Sequence, residues 1–341
     1  MIRKLFVRAL VVAAVSALGG AAQAGVTLDK VKAAGQISCG QGTGIAGFGA
    51  PDSQGRWAGF NVDICRALSA AIFGAADKVK YVPLTAQQRF TALQSGEVDL
   101  LSNNTTDTLQ RDTELGLNFA PVVFYDGQGF MVSKKLGVKS AKELNGATVC
   151  VVPGTTTELN LADYFRANKM DFKPVVIEKR DEALSAFFSG RCDVYTTDSS
   201  ALNADRLSQA PNPDDYVILP ERISKEPLAP VVRHGDDQWD DIVRWVVYAL
   251  IDAEEKGITS KNVDDKLKSD DPGIKRMLGV TPGMGKALGL DEKWAYNEIK
   301  LVGNYGEIFD RTLGKDTELK FERGLNNLWT HGGLLYAMPI R

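Results

Sequence analysis

Thr91-Ala-Leu-Gln-Ser-Gly-Glu-Val-Asp-Leu-Leu101 has a counterpart in Ser185-Ala-Phe-Phe-Ser-Gly-Arg-Cys-Asp-Val-Tyr195. Ser95, Gly96 and Asp99 align with Ser189, Gly190 and Asp193. Each segment reads as an amphipathic helix that stops at a glycine able to take the left-handed conformation. A short apolar strand begins just after each Asp. It runs into a polar cluster, Ser102-Asn-Asn-Thr-Thr106 in one case and Thr196-Thr-Asp-Ser-Ser200 in the other. Upstream, Ile37-Ser-Cys-Gly40 leads to the turn Gly42-Thr43, and Thr148-Val-Cys-Val-Val152 leads to Gly154-Thr-Thr-Thr157. The same order of elements therefore occurs once in each half. Strands alternating with helices predict parallel sheets, and two such halves predict two α/β lobes. Open parallel sheets bind ligands beyond the carboxyl ends of their strands, where all four polar clusters fall. If the lobes face one another, these clusters line one cleft. Exposed loops are polar anyway, so one cluster alone means little; the pairing in both halves is the stronger signal.

Composition agrees and excludes alternatives. The 341 residues suit two domains at about 150 residues each. A net charge of -3 gives no electrostatic reason to expect nucleic-acid binding. Two His and four Cys without a CxxC pair do not read as a metal centre, and no cofactor is expected. After residue 225 the pattern turns helical. Trp239, Ile242, Val243, Val246, Val247, Leu250 and Ile251 form an apolar stripe that predicts a helix over 239–256. Further helices are expected over 291–302 and 318–330. Trp294, Tyr305, Phe309, Phe321 and Trp329 read as packing residues.

The amino terminus reads as an address. Arg3, Lys4 and Arg8 precede the apolar run Leu10–Leu18, and Ala22-Gln23-Ala24 fits a signal peptidase. Residues 1–24 are expected to be a signal peptide cleaved before Gly25. The run is too short to span a bilayer comfortably, and no lipidated Cys follows it. The mature chain is thus expected to be soluble and exported to the periplasm. There the cysteines have a different meaning, because an oxidising compartment favours disulfides. Four Cys allow three pairings. Cys39–Cys65 and Cys150–Cys192 close the short loops and keep each bridge inside one lobe; four reduced, buried thiols are the alternative.

Residues 37–233 resemble the periplasmic amino-acid-binding proteins of bacterial ABC importers, solute-binding family 3. Gly59-Phe-Asn-Val-Asp63 is similar to the family's GFDVDLA element. Phe90-Thr-Ala-Leu-Gln-Ser-Gly-Glu-Val-Asp99 is similar to PALQSGKVD, and Thr105-Thr-Asp-Thr-Leu-Gln-Arg111 to TxTxxR. Leu117-Asn-Phe-Ala-Pro121 is similar to DFSxPY, and Leu144-Asn-Gly-Ala-Thr-Val149 with Gly154-Thr-Thr156 to LKGKxVGVxxGTT. Each is weak alone; in this order they are specific. The long tail, the four Cys and Tyr125-Asp-Gly-Gln-Gly-Phe130 further resemble the general L-amino-acid-binding subgroup.

The resemblance implies a type II binding-protein fold, with each lobe a mostly parallel sheet flanked by helices and a helical carboxyl-terminal extension. It implies that residues 25–129 and 228–341 form a discontinuous first lobe and residues 130–227 the second. It implies a ligand-binding set of Asn104, Thr106, Arg111, Thr156 and Asp198. Arg111 would fork onto the α-carboxylate, helped by Asn104, Thr106 and Thr156, and Asp198 would take the ammonium. Each has a plainer reading: Arg111 as a surface ion pair with Asp107 or Asp112, Asp198 as a helix cap, Thr156 and Thr157 as caps. Relatives selecting basic side chains often carry an acid where Gly42-Thr43 stands. Others sandwich the side chain between aromatics near the positions of Ile45 and Ala86. Neither feature is present, which favours broad selectivity, with Gln87 and Arg89 as nearby polar candidates.

The expected function is capture of L-amino acids by a monomer and delivery to the permease subunits of an ABC importer. No GxxxxGK[ST] phosphate loop is present for ATP hydrolysis in this chain. The rivals are a periplasmic enzyme on the same fold, such as a cyclohexadienyl dehydratase, with Glu158 as its candidate acid or base, and a soluble sensor protein.

Overall fold

The computed structural model describes residues 25–341; the expected signal peptide lies outside the described residues. Thirteen strands are named here in chain order. They are β1 Ile37–Gln41, β2 Ala50–Pro51, β3 Trp57–Ala58, β4 Val79–Pro83, β5 Leu100–Thr106, β6 Leu117–Phe119, β7 Phe124–Asp126, β8 Gln128–Ser133, β9 Thr148–Val151, β10 Lys173–Val176, β11 Val194–Asp198, β12 Tyr216–Ile218 and β13 Glu226–Arg233. Two sheets carry the architecture. The first has the order β4-β1-β5-β13-β6, with β7 also paired to β13. The second has the order β10-β9-β11-β8-β12. In each, the first three strands are parallel. In each, the fourth strand runs antiparallel to its neighbours. The two lobes thus repeat one topology, a two-lobed type II binding-protein fold.

The chain passes from the first sheet to the second at Gly127, between β7 and β8. It returns between β12 and β13. Gln128 and Gly129 are therefore bonded into the second sheet, and Glu226 and Pro227 into the first. The two crossing segments touch: the Ile223 N–H donates to the Gln128 carbonyl at 3.0 Å. A Cβ on Gly127 would lie 2.8 Å from the Ser224 carbonyl oxygen, so only glycine permits this approach.

The repeated SGxxD segment has a structural cause. Asp99 accepts the Ser38 N–H of β1 at 2.8 Å, and Asp193 accepts the Thr148 N–H of β9 at 2.8 Å. Each Asp pins the start of its lobe's central parallel strand to the turn after the helix. Each lobe is also stapled close to this point. Cys39 is bonded to Cys65 and Cys150 to Cys192, with Cα separations of 6.5 and 5.6 Å, normal for disulfides.

The tail packs on the first lobe. Trp294, Tyr305 and Phe309 are buried in one core with Phe48, Phe60 and Phe124. The Tyr305 hydroxyl donates to the Val123 carbonyl at 2.7 Å. Arg311 pairs with Asp63 at 2.6 Å. Helix Asp237–Glu255 buries the apolar stripe read from the sequence. Helix Trp294–Val302 forms three residues later than expected. The helix expected over 318–330 is absent. Lys320 and Gly324 take left-handed φ values of 48° and 49°, which break the helical path. Only two short 3-10 turns form there, Gly324–Asn326 and Trp329–His331. Trp329 is half exposed, so it is not a core residue. Helix Tyr305–Thr312 takes its place in the packing, opened by a reciprocal capping box between Asn304 and Glu307.

Candidate functional site

A cavity of about 110 Å³ lies between the lobes. Its walls come from the carboxyl ends of strands in both sheets. Gly42 and Thr43 follow β1, Leu84 to Ala86 follow β4, and Asn103, Asn104 and Thr106 end β5. Thr155 to Thr157 follow β9, Glu178 follows β10, and Thr196 to Asp198 end β11. All four polar clusters read from the sequence meet here. The reason is topological: parallel strands present their carboxyl ends, and the helix N-termini that follow, on one edge.

Of the five expected ligand-binding residues, Asn104, Thr106, Thr156 and Asp198 line the cavity. Asn104 has a left-handed φ of 55° inside a strand, an uncommon backbone state that clusters at ligand clamps. The Thr106 hydroxyl donates to Glu226 at 2.5 Å, and the Thr156 hydroxyl to the same oxygen at 2.9 Å. The cap of helix Thr156–Ala167 is Thr155, whose hydroxyl accepts the Glu158 N–H. Thr156 is therefore the first residue of that helix, where backbone N–H groups lack intrahelical acceptors. The Glu158 carboxylate accepts the Gly154 N–H at 3.1 Å and is outside the cavity wall.

Asp198 sits at the cap position of helix Ser199–Ser208 yet makes no side-chain capping bond. Its carboxyl group is buried in the cleft. Burial first, then Asp126 and Glu226, push its pKa well above the usual range, while Arg89 and Arg180 oppose this. Asp126 is raised to about 6, chiefly by burial, against hydrogen bonds from Ser200 and the Gly127 N–H. A positive group placed among these acids would favour their charged forms and be attracted by them.

Arg111 stands behind the wall rather than in it. It is buried, and it donates to the Thr106 carbonyl at 2.7 Å. It forms no ion pair with Asp107 or Asp112 among the described residues. Its guanidinium lies 5.1 Å from the Phe90 ring centre, and that of Arg89 lies 4.8 Å from the same ring. Both are within cation–π range. Burial lowers the Arg111 pKa, countered by Glu226 and Asp198.

Three charged residues complete the site. Arg89 lines the cavity, is pushed down to about 9 chiefly by burial, and leaves its Nε without a partner. Arg180 reaches across to donate to the Gly44 carbonyl at 3.2 Å and pairs with Asp205. Glu226 joins the lobes, accepting from Thr106 and Ser224 and, from the other side, Thr156 and Asn160. Arg89 follows the first lobe's turn and was legible as a polar candidate. Arg180 and Glu226 lie outside every motif, and only strand pairing brings them in. Among the described residues, no group of three His, Cys, Asp or Glu is arranged to hold a metal ion, and no helix is long and apolar enough to cross a membrane.

A cavity between two lobes of matching topology is the architecture of two-lobed solute-binding proteins. The profile of the bacterial extracellular solute-binding proteins, family 3, matches residues 37–262, and the chain belongs to that family. It is 59% identical over 331 residues to the general L-amino acid-binding periplasmic protein AapJ of Rhizobium johnstonii, covering 96% of this chain and 97% of that one. It is 55% identical over 329 residues to the glutamate/glutamine/aspartate/asparagine-binding protein BztA of Rhodobacter capsulatus, covering 96% and 97%. Among solved structures, it is similar to an ABC transporter periplasmic binding protein of Brucella ovis with glutathione bound. There the TM-score is 0.90 and the identity 57%, covering 92% of this chain and 99% of that one.

Proposed function

We propose that this protein binds L-amino acids with broad selectivity between its lobes and hands them to the permease subunits of an ABC importer. The observation that carries this is the charge layout of the cavity. A buried carboxyl group without a capping bond, Asp198, faces the same enclosed space as the guanidinium of Arg89. Arg111 backs that space through Thr106. A zwitterion fits both poles at once, with its carboxylate toward the guanidinium side and its ammonium on Asp198. Ile45 and Ala86 in the wall impose no aromatic clamp on the side chain.

Bonds across the cleft hold the two lobes together. Arg180 on Gly44, Thr85 on Glu178 and the Glu226 network all join residues of different sheets. A ligand adding contacts to both walls shifts the population toward the closed form. In this reading residues 1–24 are removed on export, the chain acts as a periplasmic monomer, and the lobe of the first sheet moves against the lobe of the second, with the crossings at Gly127 and just before Glu226. No acid or base is assigned to turnover. Glu158, the candidate for an enzyme, is held by the Gly154 N–H.

Thermal-shift screening of refolded protein against L-amino acids, D-amino acids, sugars and prephenate tests this. A ligand at a hundred times its Kd adds about 2.7 kcal/mol of stability. Stabilisation by several L-amino acids is the expected result. No stabilisation by any of them, or turnover of prephenate, refutes it.

A further inference from the structure

Glu226 is buried at the start of β13, just after the chain returns to the first sheet. Four donors converge on its carboxylate. Oε2 accepts the Thr106 hydroxyl at 2.5 Å and the Thr156 hydroxyl at 2.9 Å. Oε1 accepts the Ser224 hydroxyl at 2.6 Å and the Asn160 amide at 2.7 Å. Two carboxylate oxygens offer about four acceptor positions, so the group is fully engaged.

A hydroxyl has a single hydrogen. Glu226 holds those of Thr106 and Thr156, so neither hydroxyl donates to the other, although their oxygens are 3.4 Å apart. Neither has a hydrogen left for a ligand. Both residues line the cavity between the lobes, and what their hydroxyls offer a ligand there is lone pairs. Asp198 lines the same cavity as a third acceptor. A primary ammonium carries three N–H donors and no acceptor, like the head group of lysine. The three donors match the three acceptors. A ligand carboxylate would set its own lone pairs against those of the threonines, with the like charge of Glu226 behind them.

We infer that Glu226 is a positioning residue for the ligand's α-ammonium. It stands behind the cavity wall and acts through the two threonines. By taking their hydrogens it fixes both hydroxyls as acceptors, so that the pair joins Asp198 in holding the ammonium. The ligand carboxylate is left to the guanidinium side and to the Thr156 backbone N–H at the start of its helix. The hydroxyls therefore serve the opposite end of the ligand from the one the family resemblance implies for Thr106 and Thr156. This inference rests on the amino-acid reading above.

A crystal structure of the L-alanine complex tests it directly. The α-nitrogen is expected within about 3.2 Å of the Thr106 and Thr156 hydroxyl oxygens. A carboxylate oxygen in that place overturns the inference and leaves the amino-acid reading standing. If no amino acid binds, both fall. Calorimetric titration of variants with L-alanine gives the sign. Glu226→Met removes the acceptor at similar volume and frees both hydroxyl hydrogens. It is expected to weaken L-alanine at least about tenfold. Unchanged or tighter binding overturns the inference, because hydroxyls that served the carboxylate would gain donors. Asn160→Ala removes an inter-lobe bond to the same carboxylate and leaves both threonines on Glu226. It is expected to bind L-alanine within about threefold of wild type. Equal losses in the two variants would make Glu226 only a tie between the lobes and also overturn the inference. The crystal structure needs no variant, so a misfolded Glu226→Met protein leaves the test intact.

Discussion

Glu298 offers the sharpest test of the physical reasoning. It lies on helix Trp294–Val302, which packs against helix Phe60–Phe73 and helix Asp237–Glu255. The residue is 0% exposed, and both carboxyl oxygens lack a hydrogen-bond partner. Burial alone pushes its pKa well above the ordinary 4.5. The folded protein therefore holds a proton that the unfolded chain releases. Stability from this group is complete below about pH 4.5 and falls, by about 1.4 kcal/mol per pH unit, as pH rises toward the folded pKa. Glu298→Met removes both the unpaired polar group and the proton linkage at similar volume. Freeing the core of that group is worth about 1–3 kcal/mol. The variant should thus be more stable than wild type already at pH 5, and the gap should widen toward pH 8. Glu298→Gln should flatten the pH dependence without the full gain. Urea unfolding of all three proteins from pH 4.5 to 8 gives the differences directly, because other titrating groups are common to them. A Glu298→Met protein less stable than wild type at pH 8, or a stability gap constant across the range, would refute the assignment.

Three further outcomes follow from the site and the staples. Arg111→Ala should abolish binding of every amino acid tested by calorimetry, and unchanged affinity would remove Arg111 from carboxylate recognition. Replacing Cys39 and Cys65 with Ser should lower stability by about 3.5 kcal/mol, and replacing Cys150 and Cys192 by about 4 kcal/mol, for loop separations of 26 and 42 residues. Denaturation midpoints unchanged by either pair of replacements would contradict this. Binding of an ammonium beside Asp198 should draw its raised pKa down and release a proton, so affinity should fall as pH drops below neutral. Calorimetry at pH 6 in two buffers of different ionisation enthalpy reads this; identical heats would contradict it.

Much of the fold was legible because its signals are local. A Gly after an amphipathic helix and an Asp before an apolar strand recur in both halves, and each Asp pins a strand start. Strand, turn and helix order then placed the polar clusters at one edge. The tail was read less well. Residues 318–330 have a helix-like apolar spacing, but packing of Arg323 over Tyr305 and Phe309, with its ion pair to Glu254, fixes an irregular path instead. No short-range pattern encodes a contact between residues so far apart in the chain.

The amino-acid order by itself determined the class of fold, the two lobes and four of the five expected ligand-binding residues in the cavity wall, and it favoured the within-lobe cysteine pairs that the structure shows. These depend on neighbours a few positions away, or on a motif repeated in each half. Tertiary structure alone decided the rest. It set Arg111 behind Thr106 instead of in the wall, carried Arg180 across to Gly44, and made Glu226 the acceptor that joins the lobes. Those positions follow from which strands pair and how closely two crossing segments approach. Both are properties of the folded chain as a whole.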